Sequence, residues 1–346
     1  MDRWLDRREA FFGPDRFAYP QRKFIGTEDA GTHEVRGDYA FRPTPAGTPD
    51  RAAYASAMIR LEQLWKFALT HDYVIGHFIW TGFDYLGEAH WPRKSATSGA
   101  LDTCGFPKDC YYLFQSIFTD RPMLHLLPHW NWAGREGRMI PVLAYTNCDV
   151  VELTLNGRSM GAKAREFPRR GTQDGWDAYA KPQVFPTTAD LHLEWDVPYE
   201  PGVLKATGWK DGQKVCEAEV HTAGAAAALA LTVDRATLRA DARDVAHVTV
   251  TVVDAAGNVV PGADNRVKFD VAGAGELIGV DNGNPESHGS FKAAERLAFN
   301  GRCLAIVQTG RAVGQIQITA SAEGLKSATA VLSATAVESP ALRITR

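Results

Sequence analysis

The sequence predicts a multidomain fold: parallel β/α units followed by two immunoglobulin-like β-sandwiches. Three observations lead to it. From about Arg22 to Thr119 the chain reads strand, helix, strand, helix. Beyond Pro128 the apolar period changes from helical to alternating, with turn signals at short intervals. At 346 residues the chain also exceeds what one hydrophobic core usually serves.

Phe24-Ile25-Gly26-Thr27 is a short apolar run ending at Glu28, the pattern of a parallel strand covered on both faces. After Pro49-Asp50, residues Tyr54, Met58, Leu61, Trp65 and Ala68 recur at helical steps on one face, predicting a helix that ends near His71-Asp72. Val74 to Trp80 is a second nearly continuous apolar strand. Pro107 then opens a helix with Tyr111, Phe114 and Phe118 on one face, stopped by Arg121-Pro122.

The all-β part begins near residue 123. Val151 to Leu155 alternates into Asn156-Gly157, a type I′ hairpin dipeptide, and Leu191 to Trp195 with the Asp211-Gly212 turn continues the pattern. The small-residue stretch Gly224 to Ala228 marks the next boundary. After it, Val248, Val250 and Val252 alternate with threonines, Val267, Phe269 and Val271 resume, and Ile316 and Ile318 form a late strand. The expected domains are 1–122, 123–223 and 229–339.

Composition narrows the function classes. A formal charge of -3, with basic residues spread along the chain, gives no footprint for nucleic acid and no polybasic membrane anchor. No stretch is long enough to span a bilayer as a helix, and Met1 to Arg8 are charged where a signal peptide needs an apolar run. The sequence therefore states no location; a periplasmic or secreted full-length protein is compatible with it. Nine Trp and ten Tyr suit a neutral sugar ligand, although most aromatic rings serve a core. The five cysteines form no CxxC pair and no zinc spacing and read as buried thiols, and a Cys104–Cys110 disulfide requires the chain to fold back between them. No metal or cofactor is expected. Asp281-Asn282-Gly283-Asn284 lacks the remaining acidic positions of a calcium loop and reads as a tight turn. Trp130 and Trp132 read as packing against the last helix of the β/α part in preference to stacking on a polysaccharide.

Two blocks carry chemistry. If the strands belong to a parallel barrel, Glu28 and Trp80 terminate neighbouring strands at the end where such barrels hold their sites. Lys23 to Glu28 with Arg36-Gly37-Asp38-Tyr39, Phe78 to Glu88, and Gly105 to Asp109 with Tyr111-Tyr112 and Gln115-Ser116 together resemble family 2 glycoside hydrolases of the bacterial β-galactosidase branch. His129 to Trp132 and Gly279 to Pro285 are similar to the sandwiches that follow the barrel in that branch. The resemblance implies that residues 1–122 are the C-terminal remnant of a (β/α)8 barrel, its last two β/α units, followed by two immunoglobulin-like β-sandwich domains.

It further implies hydrolysis of terminal non-reducing β-D-galactosides by retaining double displacement, with Glu28 as nucleophile. The bland alternative for Glu28 is a strand-end carboxylate paired with Arg22 or Arg36. Trp80 corresponds to the platform under the sugar ring, the alternative being a core Trp that caps the barrel. Asp84, Glu88 and His33 are candidates for sugar hydroxyls, with solvated or helix-capping roles as the alternative for the two carboxylates and a surface histidine for His33. The family's acid/base Glu follows an Asn on a mid-barrel strand. No such block precedes Phe24, so the acid/base and most of the barrel are expected upstream of residue 1, and the chain alone is expected to be inactive. The partners are then a β-galactoside oligosaccharide or polysaccharide and the missing N-terminal part of the same enzyme; a homo-oligomer is compatible. β-Glucuronidase and β-mannosidase activities are alternatives within the family. A non-catalytic carbohydrate-binding or adhesion module is the alternative outside enzymes, and an inactive fragment is a third.

Overall fold

The structure, a computed structural model, describes residue 15 and residues 17–30, 34–39, 41–42, 51–71, 73–166 and 190–337. The chain forms two compact units. The first comprises residues up to His90 with Ser95–Asp102 and Phe106–Thr222; the second comprises Trp91–Lys94, Thr103–Gly105 and the chain from Ala223.

In the first unit, β1 (Phe24–Ala30) and β2 (Val74–Ile79) pair in parallel, with Gly26 opposite His77 and Ala30 opposite Ile79. Helix α1 (Ala53–Thr70) joins them, and α2 (Asp109–Phe118) follows. On α1 the four-residue step brings Leu61 and Trp65 to one buried face, where they meet Leu113 and Phe114 of α2.

Coverage of β2 departs from the expectation. Val74 and His77 are buried, with Trp65 edge-on to His77, but Ile75 and Phe78 are 61% and 59% exposed, and Ile25 on β1 is 46% exposed. The apolar run is what a doubly covered strand needs, yet among the described residues β1 and β2 pair only with each other. One face of that pair therefore stays open.

Seven strands build the first sandwich: β3 (Leu124–Leu127), β4 (Met139–Thr146), β5 (Val150–Leu155), β6 (Arg158–Ala164), β7 (Leu193–Pro198), β8 (Val203–Lys210) and β9 (Gln213–His221). They form sheets of order β6-β5-β8-β9 and β7-β4-β3. Asn156 and Gly157 take φ of 51° and 79° and close the β5–β6 hairpin, and Asp211 and Gly212 do the same for β8–β9.

Strand β4 is buried on both faces for a definite reason. Ile140, Val142 and Ala144 point into the sandwich with Val151, Leu153 and Leu204, while Leu143 and Tyr145 point the other way onto α1 and α2. Each such side chain contributes roughly 1.5–3 kcal/mol of burial. The helices and the sandwich consequently share one strand and form one unit. A buried polar anchor reinforces this: Tyr145 donates to Glu62 of α1 at 3.0 Å, and His192 Nδ1 lies 2.7 Å from the same carboxylate. Burial alone would lower the His192 pKa, but hydrogen bonds to Glu194 and Glu62 and the Glu62 charge push it up to about 10. Trp130, expected against the last β/α helix, sits instead in the sandwich core, edge-on to Tyr199 and donating to the Glu200 carbonyl at 2.9 Å.

The second unit is another sandwich. Its strands are β10 (Ala228–Val233), β11 (Thr237–Arg239), β12 (Val245–Val253), β13 (Arg266–Gly273), β14 (Gly275–Asp281), β15 (Glu295–Leu297), β16 (Arg302–Thr309), β17 (Gly314–Ser321) and β18 (Ala328–Thr335). They form sheets of order β10-β12-β16-β14 and β11-β18-β17-β13-β15. Val248, Val250, Val252, Val267, Ile316 and Ile318 are fully buried between them, as a period of two demands. Asp281 ends β14 as an anchor for the two short segments, Trp91–Lys94 and Thr103–Gly105, that belong to this unit. It accepts from Thr103 Oγ1 at 2.7 Å and lies 3.6 Å from the Lys94 ammonium, which itself sits over the Phe291 ring. Asn282 closes the turn that follows, accepting from the Asn284 N–H at 3.1 Å.

Candidate active site

Strands β1 and β2 run the same way, so Glu28 and Trp80 are delivered to the same end of the pair. Glu28 is exposed and Trp80 is 43% exposed. The loop after β2 folds back on Trp80. Its indole N–H donates to the Tyr85 hydroxyl at 3.1 Å, the two rings meet edge to face at 6.1 Å, and the Tyr85 hydroxyl donates to Glu88. Gly87 and Glu88 both take left-handed φ, 97° and 46°, which is how the chain reverses to bring the carboxylate back onto Tyr85. The hydrogen bond to Glu88 raises the Tyr85 pKa above the ordinary phenol range, and the Glu88 and Glu28 charges add to the rise.

Trp80, Tyr85 and Glu88 therefore meet, and the Glu28 charge acts on Tyr85 from the same end of the strand pair. Tyr85 was not singled out by sequence reasoning, because its role depends on the backbone reversal at Gly87-Glu88. His33 lies outside the described residues. Arg36, considered as a partner for Glu28, is instead buried in an ion pair with Asp102 at 2.6 Å, while the Arg22 guanidinium lies over the Tyr19 ring.

Beneath this surface is a buried polar layer. The Lys108 ammonium, fully buried, donates to Asp84 Oδ1 at 2.7 Å, to the Glu34 carbonyl at 2.8 Å and to the Thr97 carbonyl at 3.1 Å. Asp84 is itself buried and also accepts from the Gly99 N–H at 2.9 Å. Burial raises its pKa against the opposing pull of Lys108. Gly99 is required there, because a Cβ would lie 2.2 Å from the Asp84 nitrogen. Asp84 thus fastens the loop that carries Tyr85 and Glu88.

The segment after Glu28 is fastened by α2. Lys108 holds the N-cap position of α2 but its side chain does not cap the helix; the Glu34 carboxylate does so from far away in sequence, accepting from the Asp109 N–H at 2.9 Å and the Cys110 N–H at 3.3 Å. Asp109 in turn accepts from Tyr39 at 2.7 Å and pairs with His125 at 2.7 Å, whose ring stacks on Tyr112. Burial of the Glu34 carboxyl, aided by the Asp109 charge, outweighs the Asp109 N–H, the Cys110 side chain and the Lys108 charge and raises its pKa to about 7.

The two shifted groups predict the pH dependence of this unit. Glu34 has a folded pKa above its ordinary 4.5, so stability falls as pH rises from about 4.5 to about 7. His192 has a folded pKa above its ordinary 6.5, so its contribution is complete below that value and is lost as pH rises towards about 10. Thermal unfolding of the first unit, followed by tryptophan fluorescence, should show declining stability across both windows. Glu34→Gln should flatten the lower window only, and Glu62→Gln the upper only. An unchanged profile in either variant would assign the dependence to other groups.

Comparison with known proteins adds to this geometry. Residues 229–331 match the model described as glycoside hydrolase family 2 C-terminal domain 5, and residues 137–216 match a domain of unknown function. A β-galactosidase of Bacteroides ovatus is 42% identical over 277 residues, covering 79% of this chain and 30% of that protein. A β-glucuronidase of Formosa agariphila is 29% identical over 193 residues, covering 55% and 17%. Among solved structures, a β-glycosidase from Bacteroides vulgatus superposes with a TM-score of 0.78 at 30% identity, over 93% of this chain and 43% of that one. A family 2 glycosyl hydrolase from Bacteroides cellulosilyticus gives 0.71 at 28% identity, over 93% and 40%. The chain thus spans less than half the length of these relatives.

Proposed function

The chain belongs to glycoside hydrolase family 2, matching the C-terminal portion of its members, and from that premise we propose that it supplies the nucleophile side of a retaining β-galactosidase site. The observation that carries this is the Trp80–Tyr85–Glu88 cluster at the end of the parallel pair that also bears Glu28, whose charge acts on Tyr85. In the proposed mechanism the Glu28 carboxylate attacks the anomeric carbon of a terminal β-D-galactoside, forming a glycosyl ester that water later hydrolyses. Trp80 covers the apolar face of the ring, and Glu88 accepts from a sugar hydroxyl. His33, on the segment after Glu28, remains a candidate for a second hydroxyl. Asp84, buried against Lys108, acts on the sugar only through the loop it fastens.

Residues 1–122 are proposed as the closing two units of a (β/α)8 barrel, followed by sandwiches over 123–223 and 229–339, the first of them packed with the β/α units into one compact unit. The open apolar face of β1 and β2, with Ile25, Ile75 and Phe78 exposed, is what two strands of a closed barrel present when their neighbours are elsewhere. The remaining strands would supply the acid/base carboxyl roughly 5–5.5 Å from Glu28. Without that proton donor the first step loses about 10²–10⁴ in rate. β-Glucuronidase activity is the second reading, because a relative of that name aligns with the chain.

A panel of chromogenic β-galactosides, β-glucuronides and β-mannosides separates these. Activity is expected with the β-galactoside when the chain is combined with a barrel fragment carrying the acid/base, and full activity from the chain alone would contradict the proposal. In the active combination Tyr85→Phe, which releases Trp80 and Glu88, should lower kcat/KM about tenfold without moving the unfolding midpoint. A wild-type kcat/KM in that variant would remove Tyr85 from the site.

A further inference from the structure

Two thiols far apart in sequence meet in the first sandwich. Cys148 lies in the connection between β4 and β5, where the chain passes from one sheet to the other, and Cys216 lies on the edge strand β9. Their Sγ atoms are 3.3 Å apart. The space they share exists because residue 208 is a glycine: it sits opposite Cys216 on β8, and a Cβ there would lie 2.6 Å from Cys148 Sγ and 2.9 Å from Cys216 Sγ. A contact made room for by a missing side chain on the neighbouring strand β8 is a built feature of the sandwich. Cys110 and Cys303 belong to other cores.

We propose that Cys148 and Cys216 are a disulfide-forming pair, which a low-molecular-weight disulfide closes into a cross-link tying β9 to the β4–β5 connection. Exposure sets the order of events, since Cys216 is partly exposed and Cys148 fully buried. The Cys216 thiolate attacks one sulfur of the small disulfide and expels one thiol, leaving a mixed disulfide. The Cys148 thiolate then attacks Cys216 Sγ and expels the second thiol. In balance, two protein thiols and one small disulfide give one protein disulfide and two small thiols. Burial and the neighbouring thiol push the Cys216 pKa up to about 12, so closure is slow at neutral pH and faster under mildly alkaline conditions.

The test incubates the full chain with oxidised glutathione at mildly alkaline pH. The five thiols counted after denaturation should fall to three, with the chain lighter by two hydrogen atoms. Non-reducing peptide mapping should join the peptides of Cys148 and Cys216, and dithiothreitol should reverse the change. The thermal midpoint of the first unit should rise on closure, because the bond closes a long loop. Gly208→Ala, which fills the shared space, should slow closure at least about tenfold. Five persisting thiols, a glutathione adduct on Cys216 that never closes, a cross-link to another cysteine, or an unchanged rate in Gly208→Ala would each overturn the proposal. The mapping uses the unaltered chain, so it stands even if a variant fails to fold.

Discussion

Glu28→Gln should reduce β-galactoside hydrolysis by at least about 10³-fold in the complemented enzyme, with little change in stability. The substitution keeps the size and polarity of the side chain and removes the carboxylate proposed to form the glycosyl ester. Glu28 is exposed near the carboxyl end of β1, and among the described residues no buried partner is left unsatisfied by the change. Its loss should therefore appear in kcat and leave the unfolding midpoint within roughly 0.5 kcal/mol of the parent. A small added nucleophile such as azide should restore part of the rate, releasing the inverted sugar azide. Retained activity in Glu28→Gln would move the nucleophile elsewhere.

Lys108→Met should be the most destabilising single change in the first unit. The ammonium is fully buried and its three acceptors include Asp84, whose side chain is only 4% exposed. Removing one partner of a buried pair leaves the other charge uncompensated, at a cost of about 3–5 kcal/mol. The loop from Phe83 to Glu88 should lose its anchor as well, so kcat/KM should fall with stability. Adding Asp84→Asn should recover part of the loss, since the unpaired charge is then gone and the two effects are coupled. Urea unfolding of the two single variants and the double variant tests this; additive losses would show that the pair is not the anchor.

Much of this was legible because local pattern and global fold agree. The apolar run ending at Glu28, the four-residue step from Leu61 to Trp65, the helix after Pro107 and the Asn156-Gly157 turn each report a backbone preference that the structure keeps. Exposure of Ile75 and Phe78 was not legible, since an apolar strand looks the same whether or not its neighbours are present. Partners separated by long stretches of chain were equally hidden. Glu34 caps a helix 75 residues further on, and Cys148 meets Cys216 across 68 residues. Neither leaves a periodic signal. Tyr85 was hidden for a different reason, because the φ of Gly87 and Glu88 decides whether the Glu88 carboxylate comes back to its hydroxyl.

Glu28 is proposed as the group that bonds to the sugar. A dinitrophenyl β-galactoside with fluorine in place of the hydroxyl beside the anomeric centre tests it most directly, because its leaving group departs without a proton donor and its glycosyl ester turns over slowly. Applied to the chain combined with the barrel fragment, and followed by peptide mass mapping, it should leave one fluorosugar on the peptide containing Glu28 and none in Glu28→Gln. A sugar attached to another carboxylate, or persistent labelling in the variant, would contradict the assignment.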